Sequence, residues 1–213
     1  MRKNIKGYYF ITDSGLSLAR NEEDVKSAVK AGVSIVQYRA KEADGKVMLL
    51  EAGRLKALCG GALFIVNDRI DIALACGSDG VHLGQEDIPC SVARKLLGAD
   101  KIIGVTVHNA TEAKQAIAGG ADYIAVAPVF ETGTKKDAGK PTGTKLISEL
   151  KIFAGVPLAA IGGINLSNAV SVIEAGADAV CAISCVVTKE NAGAEMRKFQ
   201  ELFSKYSNKG QNK

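Results

Sequence analysis

A closed (β/α)8 TIM barrel is the fold class this sequence predicts, as one domain over residues 1–207 with a polar, aperiodic tail over 208–213 expected to be disordered. Three observations predict it. Short apolar, β-branched runs alternate with helix-period segments about every 20 to 28 residues along the chain. The runs number eight, the full count of the barrel. Each run is apolar on both faces, as parallel strands must be when crossover helices cover the sheet. An open doubly wound sheet is the structural alternative, but no glycine fingerprint follows the first run.

The first strand is expected over 8–12 and a helix over 21–31, closed by Gly32 in Lys30-Ala31-Gly32-Val33. The second strand, 34–40, runs into Gln37-Tyr38-Arg39-Ala40-Lys41, where a period of two puts Gln37, Arg39 and Lys41 on one face. Two cations and an amide at one barrel mouth are costly to bury without an anion, although an internal salt bridge would also satisfy them. A helix over 47–59 leads to the third strand, 62–68, ending Asn67-Asp68-Arg69. The fourth, 80–84, follows the glycine cap Ala75-Cys76-Gly77-Ser78 and enters Gly84-Gln85-Glu86-Asp87. Asp68 and Asp87 thus sit on the rims of adjacent strands, close enough to share a magnesium ion whose other ligands are phosphates and water. The plainer reading pairs Asp68 with Arg69 and makes Asp87 the cap of a helix beginning near Pro89.

The fifth strand, 101–108, places Gly104, Thr106 and His108 on one face. After a helix over 111–118 and the cap Ala118-Gly119-Gly120-Ala121, the sixth strand, 123–130, opens into Glu131-Thr132-Gly133-Thr134-Lys135-Lys136-Asp137. Such a loop can wrap an anion with hydroxyls, amides and a point charge, yet exposed loops often share its composition. The seventh strand, 157–164, carries Ile161-Gly162-Gly163-Ile164, and the eighth, 179–184, ends Ile183-Ser184 after a helix over 167–175 capped in Glu174-Ala175-Gly176-Ala177. The ends of strands seven and eight are where such barrels hold phosphate, and glycines let amides approach it, although a tight turn alone also calls for glycine. A helix over 192–205 completes the circuit, and Ser, Thr or Asn opens several of the helices.

Composition narrows the function. With 27 Lys and Arg against 23 Asp and Glu, the excess charge of +4 is too small and dispersed for a nucleic-acid surface and suits an enzyme that attracts anions. No apolar run is long enough for a membrane helix and no signal core follows Met1, so a cytoplasmic protein without membrane partners is expected. Five cysteines, Cys59, Cys76, Cys90, Cys181 and Cys185, lack zinc spacing and read as free thiols; Cys181 and Cys185 are expected on one strand face. His82 and His108 receive no catalytic role. The oligomeric state stays open, a homo-oligomer included.

Taken together, Gln37-Tyr38-Arg39-Ala40-Lys41, Asn67-Asp68-Arg69, His82-Leu83-Gly84-Gln85-Glu86-Asp87, Pro128-Val129-Phe130 with Thr132-Gly133-Thr134-Lys135, Ile161-Gly162-Gly163-Ile164 and Ile183-Ser184 resemble the thiamine-phosphate synthases. The resemblance implies that 4-amino-2-methyl-5-hydroxymethylpyrimidine diphosphate is joined to the ring nitrogen of a thiazole phosphate, with release of diphosphate. It implies that Gln37, Arg39, Lys41, Asn67 and Lys135 hold the pyrimidine diphosphate, with Tyr38 and Ala40 in the same segment. Asp68 and Asp87 would carry Mg2+, and Thr132, Gly133, Thr134, Gly163, Ile183 and Ser184 the thiazole phosphate. Arg39, Lys41, Thr106 and Lys135 are the expected catalytic set. The family's pyrimidine is held to leave as a stabilised cation, which asks for charge neutralisation and exclusion of water and for no nucleophilic side chain. Two positions depart from the family's usual pattern: Ala40 stands where glutamate is common and Thr106 where serine is. A thiazole tautomerase on a similar barrel is the nearest rival, with little use for Asp68, Asp87 or Lys135, and a catalytically silent binding protein is another.

Overall fold

A computed structural model describes residues 5–134 and 139–207. Lys135 and the tail over 208–213 lie outside the described residues. The strands are β1 Gly7–Ile11, β2 Ile35–Tyr38, β3 Leu63–Asn67, β4 Gly80–Leu83, β5 Ile102–Val107, β6 Tyr123–Val126, β7 Leu158–Ile161 and β8 Ala179–Cys181. The helices are α1 Asn21–Lys30, α2 Gly45–Leu58, α3 Ile70–Ala75, α4 Cys90–Leu97, α5 Ala110–Ala118, α6 Gly143–Lys151, α7 Ala169–Glu174, α8 Ser184–Val187 and α9 Ala192–Tyr206. The strands close in chain order, every pair parallel, with β8 returning to β1 through Gly7 opposite Ala179. This is the (β/α)8 barrel expected from the eight runs.

Two apolar layers follow from strand alternation. Tyr9, Ile11, Ile35, Ile65, Ile102, Tyr123, Ala159 and Ala179 fill the barrel interior, whereas Tyr8, Phe10, Val36, Phe64, Val66 and Ile124 face the helices. The expected glycine caps hold: Gly32, Gly77, Gly120 and Gly176 all have positive φ between 67° and 106°, which lets each helix stop and the chain turn into the next strand. Side-chain caps are rarer than the sequence suggests. Among the described residues only α5 and α9 show one, with Asn109 accepting from the Glu112 amide and Asn191 from that of Ala194. The strands are shorter than expected at their C-terminal ends. β8 stops at Cys181 and Cys185 lies in α8, so the two thiols do not share a strand face.

The N-terminal end of the barrel is locked by a device used three times. Asp79, Asp122 and Asp178 stand just before β4, β6 and β8, each two residues after a cap glycine. Each carboxylate accepts the amide of Phe64, Ile103 or Leu158 at the start of the preceding strand, at 2.7–2.8 Å. Each also pairs with a helix cation, Lys56, Arg94 or Lys151, at 2.6–2.7 Å. The opposite end of the barrel is thereby left to open loops.

Candidate active site

At the C-terminal ends of the strands lies a cavity of about 400 Å3, to which all eight strand ends contribute. Small inward side chains on β6 and β8, Ala125 and Cys181, leave the room for it.

On one side, Lys41 Nζ lies 2.6 Å from Asp68 Oδ2, and Arg39 Nη1 lies 3.8 Å from Asp13 Oδ2. Asp68 is one of two non-glycine residues with positive φ among those described (61°), a strained backbone state that tertiary contacts must hold. They do so through its amide, which donates to the His82 carbonyl at 2.8 Å. Asp87 Oδ2 accepts the Gly84 amide at 2.7 Å. Burial, and the neighbouring Asp68 carboxylate, push the Asp87 carboxyl above the ordinary aspartate range despite that amide. The plainer readings of these carboxylates do not hold. Arg69 is engaged by Asp71 instead of Asp68, and α4 starts at Cys90 with Pro89 in the cap position and no side-chain cap from Asp87.

Two carboxylates side by side, in a cavity that Arg39 and Lys41 also line, are a donor set magnesium takes when anionic ligand oxygens and water complete its shell. Among the described residues no three His, Cys, Asp or Glu gather to hold a metal by themselves. The residues present therefore fit a magnesium ion that arrives with an anionic ligand.

Across the cavity, Gly162, Gly163, Ile183 and Ser184 form the opposite wall, with Thr132, Gly133 and Thr134 above them. The loop after β6 is laid onto β7: Val129 and Phe130 donate to the carbonyls of Ile161 and Gly162 at 2.9 and 3.0 Å. A Cβ on Gly163, where φ is 62°, would sit 2.2 Å from the Glu131 carbonyl oxygen, and one on Gly162 2.6 Å from Pro128 Cβ. Packing alone thus demands these glycines, and their bare backbone is what the cavity wall presents. Thr132 Oγ1 accepts the Thr134 amide at 3.3 Å, a local turn in the loop after β6.

The floor is polar. Gln37 Nε2 donates to the Tyr9 hydroxyl at 2.7 Å, Tyr9 and Tyr123 hydroxyls lie 2.8 Å apart, and His82 bridges Tyr123 (Nδ1, 2.9 Å) and Thr106 (Nε2, 2.8 Å). Gln85 reaches the Thr106 carbonyl at 2.6 Å. Sequence reasoning assigned nothing to Tyr9, Tyr123 or His82. The available signal was a tyrosine on the inward face of an otherwise apolar strand, since a buried phenol needs a partner.

Of the expected site residues, Gln37, Arg39, Lys41, Asn67, Asp68, Asp87, Thr106, Thr132, Gly133, Thr134, Gly163, Ile183 and Ser184 line this one cavity. Tyr38 and Ala40 do not. Strand alternation turns Tyr38 outward, fully buried, where its hydroxyl donates to Glu51 Oε2 of α2 at 2.7 Å. Ala40 packs against the outer apolar layer instead. His108 is a helix-start residue: its amide and ring Nδ1 both lie 2.8 Å from Glu112 Oε2. The cysteines are free, and burial pushes the Cys59 thiol up to about 12 and that of Cys181 well up.

Comparison with known proteins agrees with this geometry. The family model for thiamine monophosphate synthase matches residues 8–186. A thiamine-phosphate synthase of Methanosarcina mazei is 48% identical over 207 residues, covering 97% of this chain and 86% of that protein. One from Methanosarcina barkeri is 50% identical over 196 residues, covering 92% and 89%. Among solved structures, thiamine phosphate pyrophosphorylase from Pyrococcus furiosus superposes with a TM-score of 0.88 at 34% identity, covering 96% of this chain and 98% of that one. A match over most of the chain, at identities well above those at which only a fold is shared, settles the lineage: this chain belongs to the thiamine monophosphate synthase family.

Proposed function

We propose that this chain is the transferase that makes thiamine phosphate, joining 4-amino-2-methyl-5-hydroxymethylpyrimidine diphosphate to 4-methyl-5-(2-phosphoethyl)thiazole and releasing diphosphate. The observation that carries the reading is the pairing, across one cavity, of two kinds of anion wall. One wall has Arg39, Lys41 and the carboxylates Asp68 and Asp87; the other has the glycine backbone and Ser184. A reaction between two phosphorylated molecules needs both. The relatives' names support the same activity. The acidic pair has no evident use in a thiazole isomerase.

Arg39 and Lys41 supply fixed positive charge for the diphosphate, and Asn67 lies within the same wall. Lys135, by resemblance, adds a further charge from the loop after β6. Asp68 and Asp87 would hold a magnesium ion, which would supply charge neutralisation for the diphosphate. As the bond from the pyrimidine methylene carbon to the diphosphate oxygen breaks, its electron pair leaves with the diphosphate. The thiazole ring nitrogen then donates its own pair to that carbon. No side-chain nucleophile is required. Thr132, Gly133, Thr134, Gly163, Ile183 and Ser184 hold the thiazole phosphate facing the carbon, and a filled cavity excludes the water that would otherwise capture it. We place the reaction in the cytoplasm; among the described residues no helix is long and apolar enough to cross a membrane.

The test is product formation from the two purified precursors, with and without magnesium, by the wild type and Asp68→Ala. Magnesium-dependent product that collapses by about 10^2-fold or more in the variant is expected. Binding of the thiazole phosphate without any product would overturn the reading.

A further inference from the structure

The floor of the cavity carries a chain of five side chains whose hydrogen-bond direction can be deduced. Tyr9 and Tyr123 are each 1% exposed or less, and burial raises both phenols far above their ordinary range, so both hydroxyls keep their protons. Every such proton needs an acceptor. With the Gln37 amide donating to Tyr9, the Tyr9 oxygen is already an acceptor, and its proton goes to Tyr123, its other partner. The Tyr123 proton then goes to His82 Nδ1, which must be bare. The ring proton is on Nε2, which donates to Thr106 Oγ1. The Thr106 hydroxyl, its oxygen engaged by the ring, turns its own proton into the cavity. Any other ring state, with the amide as placed, leaves one phenol proton stranded in the barrel interior.

We propose that Tyr9, Tyr123 and His82 are positioning residues that hold His82 as its Nε2–H tautomer, and thereby make Thr106 a hydrogen-bond donor to the ligand in the cavity. The chain couples its ends. If the Gln37 amide turned to accept from Tyr9, every bond would reverse and Thr106 would become an acceptor. The cavity is thus set to take a ligand with an acceptor at Thr106 and, at Gln37, a group that leaves the Nε2 side facing Tyr9. Packing preserves this arrangement. A Cβ on Gly104 would lie 2.0 Å from the Tyr123 ring, so glycine opposite Tyr123 is what admits the phenol to the chain. Thr106 keeps the hydroxyl this requires, and its methyl adds bulk without altering the donor.

The kinetic half of this inference rests on the synthase reading; the tautomer half does not. Protein labelled at histidine nitrogen, examined by two-bond proton–nitrogen correlation, reports the tautomer directly, and the sequence has only His82 and His108 to separate. His108→Gln assigns the signals. The wild type, with no ligand, is expected to show a single Nε2–H ring at His82. An Nδ1–H ring, or one carrying both protons, overturns the proposal whatever the enzyme makes. Tyr123→Phe keeps the ring and removes the relay. It is expected to give a mixed His82 tautomer and to lower kcat/KM for the pyrimidine diphosphate about tenfold, leaving KM for the thiazole phosphate unchanged. A Tyr123→Phe enzyme with wild-type kinetics, or with KM raised equally for both substrates, overturns the link to Thr106. If the wild type makes no product at all, the synthase reading fails while the spectra still decide the tautomer.

Discussion

Asp87 carries a conflict between stability and chemistry. Its carboxyl is held above the ordinary aspartate range, so the folded protein keeps its proton at a pH where the unfolded chain has released it. Stability therefore falls as pH rises from the ordinary aspartate range through the raised folded value, and the cost persists at neutral pH. Asp87→Asn removes that cost. It is expected to raise the midpoint of thermal unfolding of the ligand-free protein at pH 7, with little difference from wild type at a pH below the aspartate range, while product formation drops by about 10^2-fold or more. Thermal melts at several pH values and a product assay check both halves. Arg39 tests the other side of the same wall. Its guanidinium lies 3.8 Å from Asp13, too loose to be spent on that pair, so Arg39→Ala should cost about 10^2-fold in kcat/KM for the pyrimidine diphosphate with little change in folding stability. Arg39→Lys should not restore it, because an ammonium lacks the planar fork.

The helix and strand ends divide their labour. Glycines close the helices, and two residues later Asp79, Asp122 and Asp178 tie β4, β6 and β8 to the strands before them and to a helix cation. Asp122 is the fullest case, with Arg94 also reaching the carbonyls of Gly98, Lys101 and Gly120. Asp122→Ala is expected to destabilise by about 2–3 kcal/mol, since it strips a charged acceptor from a half-buried amide and a guanidinium. Activity per folded molecule should be unchanged, because the device sits at the end of the barrel away from the cavity. Urea unfolding alongside the product assay separates the two effects. The glycines of this pattern were legible as helix caps. Their aspartates were not, because an acidic residue beside a turn reads as solvated until the strand amide and the helix cation are seen to converge on it.

At the scale of the whole molecule, closure of the barrel gathers residues that lie more than a hundred positions apart, and ligand binding should report on all of them together. Inorganic diphosphate with magnesium is expected to stabilise the wild type by about 2.7 kcal/mol at a hundred times its Kd, and Asp68→Ala far less at the same concentration. Calorimetric melts at several ligand concentrations provide the check without any turnover.

The eight strands, their parallel arrangement and the rim positions of Arg39, Lys41, Asn67, Asp68 and Asp87 were all determined by the sequence itself. Each follows from a local period or from a residue type at the end of an apolar run, and barrel topology carries that local order into space. Only the tertiary structure decided which way Tyr38 points, that His108 serves a helix start, and that Glu131 and Pro128 impose Gly163 and Gly162. It alone joined Gln37 to Thr106 through Tyr9, Tyr123 and His82. The physical reason is the same in each case. Burial and hydrogen-bond partners come from chain segments distant in sequence, so a side chain's direction and the proton it holds are properties of the closed barrel and not of any strand within it.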